Sequence, residues 1–298
     1  MSTVTAPTPV PTLTDELAAT QRQRRKLPPL SLVFAVLWLG VLTFMGVFAD
    51  YLPFVRNYDQ QVGYARSYGV GPGADFWFGS DKLGRDVFAR CIYGARVSML
   101  IAVTSIIVGM VLGGLLGLIA GYFRGRTDRG ISILNDVLLA FPPLVLALVL
   151  SQRLGRGVWQ VILVLSILSI APLARIVRAQ TLSISQREYV LAARSIGARS
   201  RRVLVREILP NLVPTMISVA FTGIAVLLIA EGGLAFLGYS VKPPQPTWGY
   251  MIQESRADLD DAWWATLFPC FMLFVTVLAF NIVGDRVARR FDIREAAL

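Results

Sequence analysis

Two acids stand out by position. Asp136 lies inside a long apolar stretch and Glu231 at the end of another, and a carboxylate at such a depth needs a partner, a hydrated cavity or a transport path. Asp136 has Asn135 beside it and could line a path or gate, but pairing with a nearby Arg or with backbone is the favoured reading. Glu231 could touch substrate or act as a gate, and simple hydration at a helix end is favoured over that. The remaining chemistry is narrowed by what the 298 residues lack. With no histidine, a His-based zinc site, a Ser-His-Asp triad and a Cys-His dyad are all excluded. No Gly-Lys dipeptide occurs, so the phosphate-cradling loop of an ATPase is absent; with only Asp136 well inside a span, energy for transport is expected from a partner in preference to an ion gradient. The two cysteines, Cys91 and Cys270, are read as unpaired apolar residues in preference to a disulfide.

The elements that must hold these acids are membrane spans. The chain is 55% hydrophobic and 16% charged, with a mean hydropathy of +0.59, too few charges for a soluble surface of this size. Charge-free runs cover 30–49, 97–123, 137–152, 157–174, 208–230 and 262–284. About 20 helical residues cross the hydrocarbon, so five runs suffice as they stand, and the third does so when extended upstream through Ile131 to Asp136. The expectation is an all-α integral membrane protein with six transmembrane helices. Of its 29 Lys and Arg residues, 19 fall in the two tails and in segments 121–130 and 175–207, which places those segments and both termini in the cytoplasm. The net charge of +10 is thus topological, and nucleic-acid binding is not expected because no basic stripe forms on a soluble domain.

Within this frame, residues 1–27 read as a disordered cytoplasmic tail and 28–298 as the six-helix domain, with an outer loop at 50–96. The later part of that loop, 87–96, is expected to be an amphipathic surface helix. Glycines 109, 113, 117 and 121 recur every fourth residue, which lets helices approach closely in lipid. Pro142 and Pro143 must kink or break the third span. The cytoplasmic segment 175–212 reads as helix, turn at Gly197, and helix. In it Tyr189, Val190, Ala193 and Ile196 recur at helical spacing, and a second piece from 199 to 209 stops at Pro210. Ala192 and Ala193 make a thin helix end suited to another protein's groove, and Arg201 and Arg202 can pair with acids at its rim. Arg175 and Arg178 are read as positive-inside anchors.

This segment resembles the coupling motif of ABC importer permeases, E-A-A, three residues, G, nine residues, I-x-L-P. Ala192, Ala193, Gly197, Leu209 and Pro210 match, whereas Leu191 and Glu207 depart from it; Glu188, one helical turn before Leu191, is the residue to supply the missing first Glu. Further stretches resemble the C-type permease subunit of dipeptide and oligopeptide importers: Gly79-Ser80-Asp81-Lys82-Leu83-Gly84-Arg85-Asp86, Tyr93-Gly94-Ala95-Arg96-Val97-Ser98, Asn135 to Pro142, Glu231 to Gly238, and Pro243 to Gly249. The resemblance implies a type I ABC importer permease fold in the plasma (inner) membrane and an assembly with a second permease subunit, two ABC ATPase subunits and an extracytoplasmic substrate-binding protein. In that assembly Glu188, Ala192, Ala193, Gly197, Arg201, Arg202, Leu209 and Pro210 would meet the ATPase. ATP and Mg would be bound by the partner chains, leaving this chain without a cofactor and without catalysis of its own. Nickel, glutathione or oligosaccharide cargo on the same machinery is the nearest alternative to di- or oligopeptides. A stand-alone secondary carrier or a structural anchor would be a different class.

Overall fold

A computed structural model describes residues 29–62 and 69–295, with side chains of 30–62 and 69–290. The tail expected at 1–27 lies outside the described residues. Among those described, the elements are helices, with two isolated antiparallel bridges, Gln61 to Arg85 and Ser80 to Asp86, in the loop before the second of them. The elements are α1 (Pro29–Val47), α2 (Val87–Phe123), α3 (Gly125–Ala140), α4 (Pro143–Leu154), α5 (Val158–Ile184), α6 (Glu188–Ser195), α7 (Leu209–Phe236), α8 (Trp248–Ser255) and α9 (Trp263–Glu295). Five helical stretches are long and apolar enough to cross a membrane, and the bent pair α3 and α4 makes up to six.

The third crossing is broken by its sequence. Phe141 precedes Pro142, is pushed into extended backbone, and α4 restarts with proline at its first turn, so α3 and α4 meet at 87°. Together α3 and α4 return the chain to the side from which α2 began, so α2 and α5 run parallel, and their contact is the densest among the described helices. The glycine row of α2 forms that seam: a Cβ on Gly113 would sit 2.5 Å from the Ile170 carbonyl oxygen, and one on Gly117 2.4 Å from that of Ala174. Backbone replaces side chain at the contact, which is how small residues stabilise helix pairs in lipid, where apolar burial alone drives little.

Two expectations about helix limits fail. Residues 87–96 do not lie as an amphipathic helix on the surface. Val87 to Ala95 are all buried and form the first turns of α2 itself, capped by the Asp86 side chain, which accepts from the amides of Phe88 and Ala89 at 2.9 and 3.4 Å. Burial nevertheless pushes the Asp86 carboxyl above its usual range. Pro210 does not stop its helix either. Ser200–Arg202 and a π-turn, Val203–Ile208, run straight into α7, and the proline falls in the first turn after the π-turn, where its missing N–H disturbs the hydrogen-bond ladder least.

Around the α2–α5 pair, α7 packs against α2 and antiparallel to α9, with Ser218 Oγ donating to the Gly284 carbonyl at 3.1 Å. Helix α1 leans on α9, where Trp38 Nε1 donates to Thr276 Oγ1 at 3.0 Å. The loop before α2 is tied down from both sides. Trp264 Nε1 donates to the Ser80 carbonyl at 3.0 Å, and the Phe78 ring stacks on Phe268 at 4.0 Å. Just after α1, Asp50 accepts from the Tyr93 hydroxyl at 2.7 Å and from Arg96 at 2.9 Å. These two donors, Tyr93 first, hold its carboxyl below the usual range. Cys91 is buried, Cys270 half-buried, and both are free thiols, as the unpaired reading has it.

Candidate functional site

At one end of the bundle, α6 and the start of the Ser200–Phe236 stretch fold into a hairpin on a small apolar platform. Val190, Val203, Ile208 and Leu212 are buried there together with Leu118, Val177 and Ile184. The helix closes by a paired bonding pattern around Gly197: the Ala198 amide donates to the Ala193 carbonyl at 3.1 Å and the Gly197 amide to that of Arg194 at 2.9 Å. This is the left-handed glycine stop, with φ of +79° at Gly197. A Cβ there would meet nothing within 4 Å in this chain, so the turn requires backbone freedom but makes no close approach of its own.

The expected apolar face of α6 is only partly correct. Val190 faces the platform, whereas Ile196 is 82% exposed and Leu191 is 49% exposed. Glu188, Ala192, Arg201, Arg202 and Pro210 are exposed, and Ala193 and Leu209 are partly covered. The hairpin therefore brings all eight sequence-selected residues to one end, with hydrophobic Ile196 at the tip and the two arginines on the following turn. Arg194 lies over the Tyr122 ring at 4.6 Å and ties α6 to the end of α2.

Asp136 is not a buried acid. Its side chain is 65% exposed and accepts from Arg175 Nη2 at 2.9 Å, so the favoured pairing with an arginine is the arrangement found. One helical turn away, Arg178 grips both carboxylate oxygens of Asp128, Nη2 to Oδ2 at 2.7 Å. Arg175 and Arg178 are thus tied to α3 and do more than anchor topology. The buried member of the pair in sequence is Asn135, 4% exposed. A cavity of about 280 Å³ lies among Ser132, Asn135, Asp136, Arg175 and Arg178.

Glu231 also departs from expectation. It is 1% exposed, not hydrated. Ser240 Oγ donates to its Oε1 at 2.5 Å, Ser98 Oγ lies 3.5 Å from Oε2, and Thr247 bonds to it as well. Trp248, wholly buried, donates from its amide to Ser98 Oγ at 3.3 Å and from its indole to the Cys91 carbonyl at 3.0 Å. Three of the quoted motif stretches, around Ser98, Glu231 and Trp248, therefore meet at one carboxyl and close the end of α7 against α8.

Beside it lies a cluster that the spacing of residues does not announce. Asp81 accepts from Arg85 at 2.7 Å and Arg90 at 2.5 Å, and Glu254 accepts from the same two arginines, each at 2.9 Å. Asp81 and Arg85 belong to a quoted motif. Arg90 and Glu254 lie outside the quoted motifs, and the only signal for them is local charge balance: the cations Lys82, Arg85 and Arg90 outnumber the acids Asp81 and Asp86, which leaves room for an acid from elsewhere in the chain.

The chain is similar to known membrane proteins. The family model described as binding-protein-dependent transport system inner membrane component matches residues 113–295. The chain is 40% identical over 222 residues to the glutathione transport system permease protein GsiD of Pectobacterium atrosepticum, covering 74% of each. It is 32% identical over 258 residues to the dipeptide transport system permease protein DppC of Alkalihalophilus pseudofirmus, covering 87% of this chain and 85% of that one. In structure it is similar to a chain of the inward-facing MetNI methionine ABC transporter, with a TM-score of 0.59 at 17% identity over 68% of this chain and 96% of that one. An amino acid ABC transporter gives a TM-score of 0.55 at 18% identity, over 68% of this chain and 94% of that one. With the family model spanning more than half of the chain and relatives of this similarity along most of its length, the protein belongs to the binding-protein-dependent transport system inner membrane components, the membrane permease subunits of ABC importers.

Proposed function

We propose that this chain is one of two different permease subunits in an ATP-driven importer of di- and oligopeptides, and that its Gly197 hairpin is the lever on which a separate ATPase acts. The observation that carries the lever is Ile196, an aliphatic side chain 82% exposed at the tip of a hairpin whose underside is fully packed. An exposed apolar tip flanked by cations fits a groove in a partner with acids at its rim. The names of the relatives support the cargo, since glutathione and dipeptides are both short peptides.

In this reading the hairpin end and both termini face the cytoplasm, ATP and Mg are held by the two ATPase chains, and a binding protein delivers peptide at the opposite end. Closure of the ATPases pushes on Ala192, Ala193 and Gly197, and the bundle, having two packings, changes which side of the path is open. Uptake of labelled trialanine into proteoliposomes holding the whole assembly, with ATP inside and binding protein outside, tests the reading. Uptake that requires both supports it. Binding-protein-stimulated ATP hydrolysis without peptide uptake retains the machinery and discards the peptide cargo in favour of nickel, oligosaccharide or another solute. Uptake driven by an ion gradient without ATP overturns it.

A further inference from the structure

The Asp136–Arg175 pair is hard to explain as a mere brace. Arg175 lies 17 residues into α5 and directly follows the charge-free run 157–174, at the end of that span. Both side chains of the pair are more than half exposed, at 61% and 65%. Charges at the end of a span do not face lipid tails; they face water, headgroups or another polypeptide. The cavity they line contains a second feature that a brace does not require: the Asn135 side-chain oxygen is buried and accepts no hydrogen bond. A buried acceptor without a donor is unfavourable, and such groups mark places where a water or ligand donor belongs.

The cavity thus offers a lone acceptor from Asn135, an anion from Asp136 and a cation from Arg175, in a space of about 280 Å³. These are the complements of a free ammonium and a free carboxylate. We propose that this cavity is a transit site for short zwitterionic peptides, in which Asn135 and Asp136 receive the α-ammonium and Arg175 the terminal carboxylate. An exposed ion pair contributes little by itself, so a zwitterion can exchange partners with it: each charge of the protein trades one opposite charge for another, and none is left bare. Arg178 does not compete for the ligand, because Asp128 already engages it through two bonds. The inference rests on the peptide-import reading above and adds to it where along the chain the peptide is held and which chemical feature of it is read.

The test uses the whole assembly with Ser132→Cys and Cys270→Ala; Cys91 is wholly buried and is kept. Ser132 lines the cavity but is not one of the three proposed contacts. Labelling of the introduced thiol by a charged methanethiosulfonate is timed with millimolar trialanine, with N-acetyl-trialanine amide, or with no addition. Trialanine should slow labelling at least threefold, the blocked peptide should leave the rate unchanged, and adding Asp136→Asn should abolish the protection. Equal rates with and without trialanine, or equal protection by the blocked peptide, would overturn the site. A thiol that the reagent never reaches would overturn it too, by showing that the cavity is closed to water. ATP-dependent trialanine uptake by the wild-type assembly is measured alongside. Uptake without protection defeats this inference alone, whereas absence of uptake defeats the peptide reading on which it rests.

Discussion

Gly117→Ala adds a single methyl group where two backbones touch. The new Cβ would lie 2.4 Å from the Ala174 carbonyl oxygen and 2.9 Å from both the Arg178 amide nitrogen and the Val177 Cβ. Reaching even 3.0 Å from that oxygen requires the helices to part by about 0.6 Å, and the nearest obstacles are main-chain atoms that cannot rotate away. A gap of 0.5–1 Å forfeits about a quarter to a half of each dispersion contact it opens, and overpacking of this kind costs about 1–3 kcal/mol. Because the obstacle is backbone, about 2–3 kcal/mol is the appropriate part of that range. Replacing glycine within a helix returns about 1 kcal/mol of propensity, leaving a net loss of about 1–2 kcal/mol. Gly130→Ala in α3 is the control: it gains the same propensity, and its Cβ meets nothing within 4 Å. The assay is the temperature at which half of the detergent-solubilised assembly loses its monodisperse peak. Gly117→Ala should fall below wild type and Gly130→Ala should equal or exceed it. If Gly117→Ala proves as stable as Gly130→Ala, the α2–α5 seam is not the close backbone contact described.

Gly197→Ala forces a left-handed residue at a cost of about 1–2 kcal/mol in the turn, so ATP-driven uptake should fall while membrane insertion, measured by fractionation, stays at the wild-type level. Arg201→Glu with Arg202→Glu should lower co-purification of the ATPase subunits, and unchanged recovery would reduce both residues to topology anchors. Glu231→Gln should be tolerated because it keeps an acceptor for Ser240, whereas Glu231→Leu strands buried hydroxyls at about 1–3 kcal/mol for each unsatisfied group; thermal stability of the two variants distinguishes them. At Asp50 the sign follows from a depressed carboxyl. Its stabilisation is complete above the ordinary value of about 3.9 and is lost as pH falls through the still lower folded value. Asp50→Asn should therefore be less stable than wild type at pH 6, with the difference shrinking only below about pH 4.

How much of this was legible in the chain depends on how far apart the partners lie. The spans follow from uninterrupted apolar runs, and the break at Pro142 and the stop at Gly197 follow from the backbone rules of single residues. The setting of Glu231 does not: Ser98 is 133 residues away, and nothing local distinguishes an acid that hydroxyls will surround from one that water will. For Arg90 and Glu254, in separate helices, local charge balance signals a missing acid but does not say where in the chain it lies. Asp136 shows a different limit. Composition placed it inside a run, but which of Asn135 and Asp136 is covered is a matter of helix rotation, which the run of apolar residues does not give. Pro210 misled because a proline signals a stop only where a regular ladder is running, and the π-turn before it had already changed that ladder.

Helix α2 has a further consequence through its length. At 37 residues it is about 55 Å long, nearly twice the thickness of the hydrocarbon. Its excess lies in the turns that carry Arg90 and Tyr93, where the loop before it and α8 are fastened by ion pairs and aromatic contacts. The other end reaches Tyr122, on which Arg194 of the hairpin rests. A single rod therefore touches both aqueous faces, welded for much of its span to a parallel neighbour. Tilting that rod about its middle would swing the two ends in opposite directions, so a push of an ångström on the hairpin side arrives as a displacement of similar size at the far cap, without any relay of side-chain rearrangements between them.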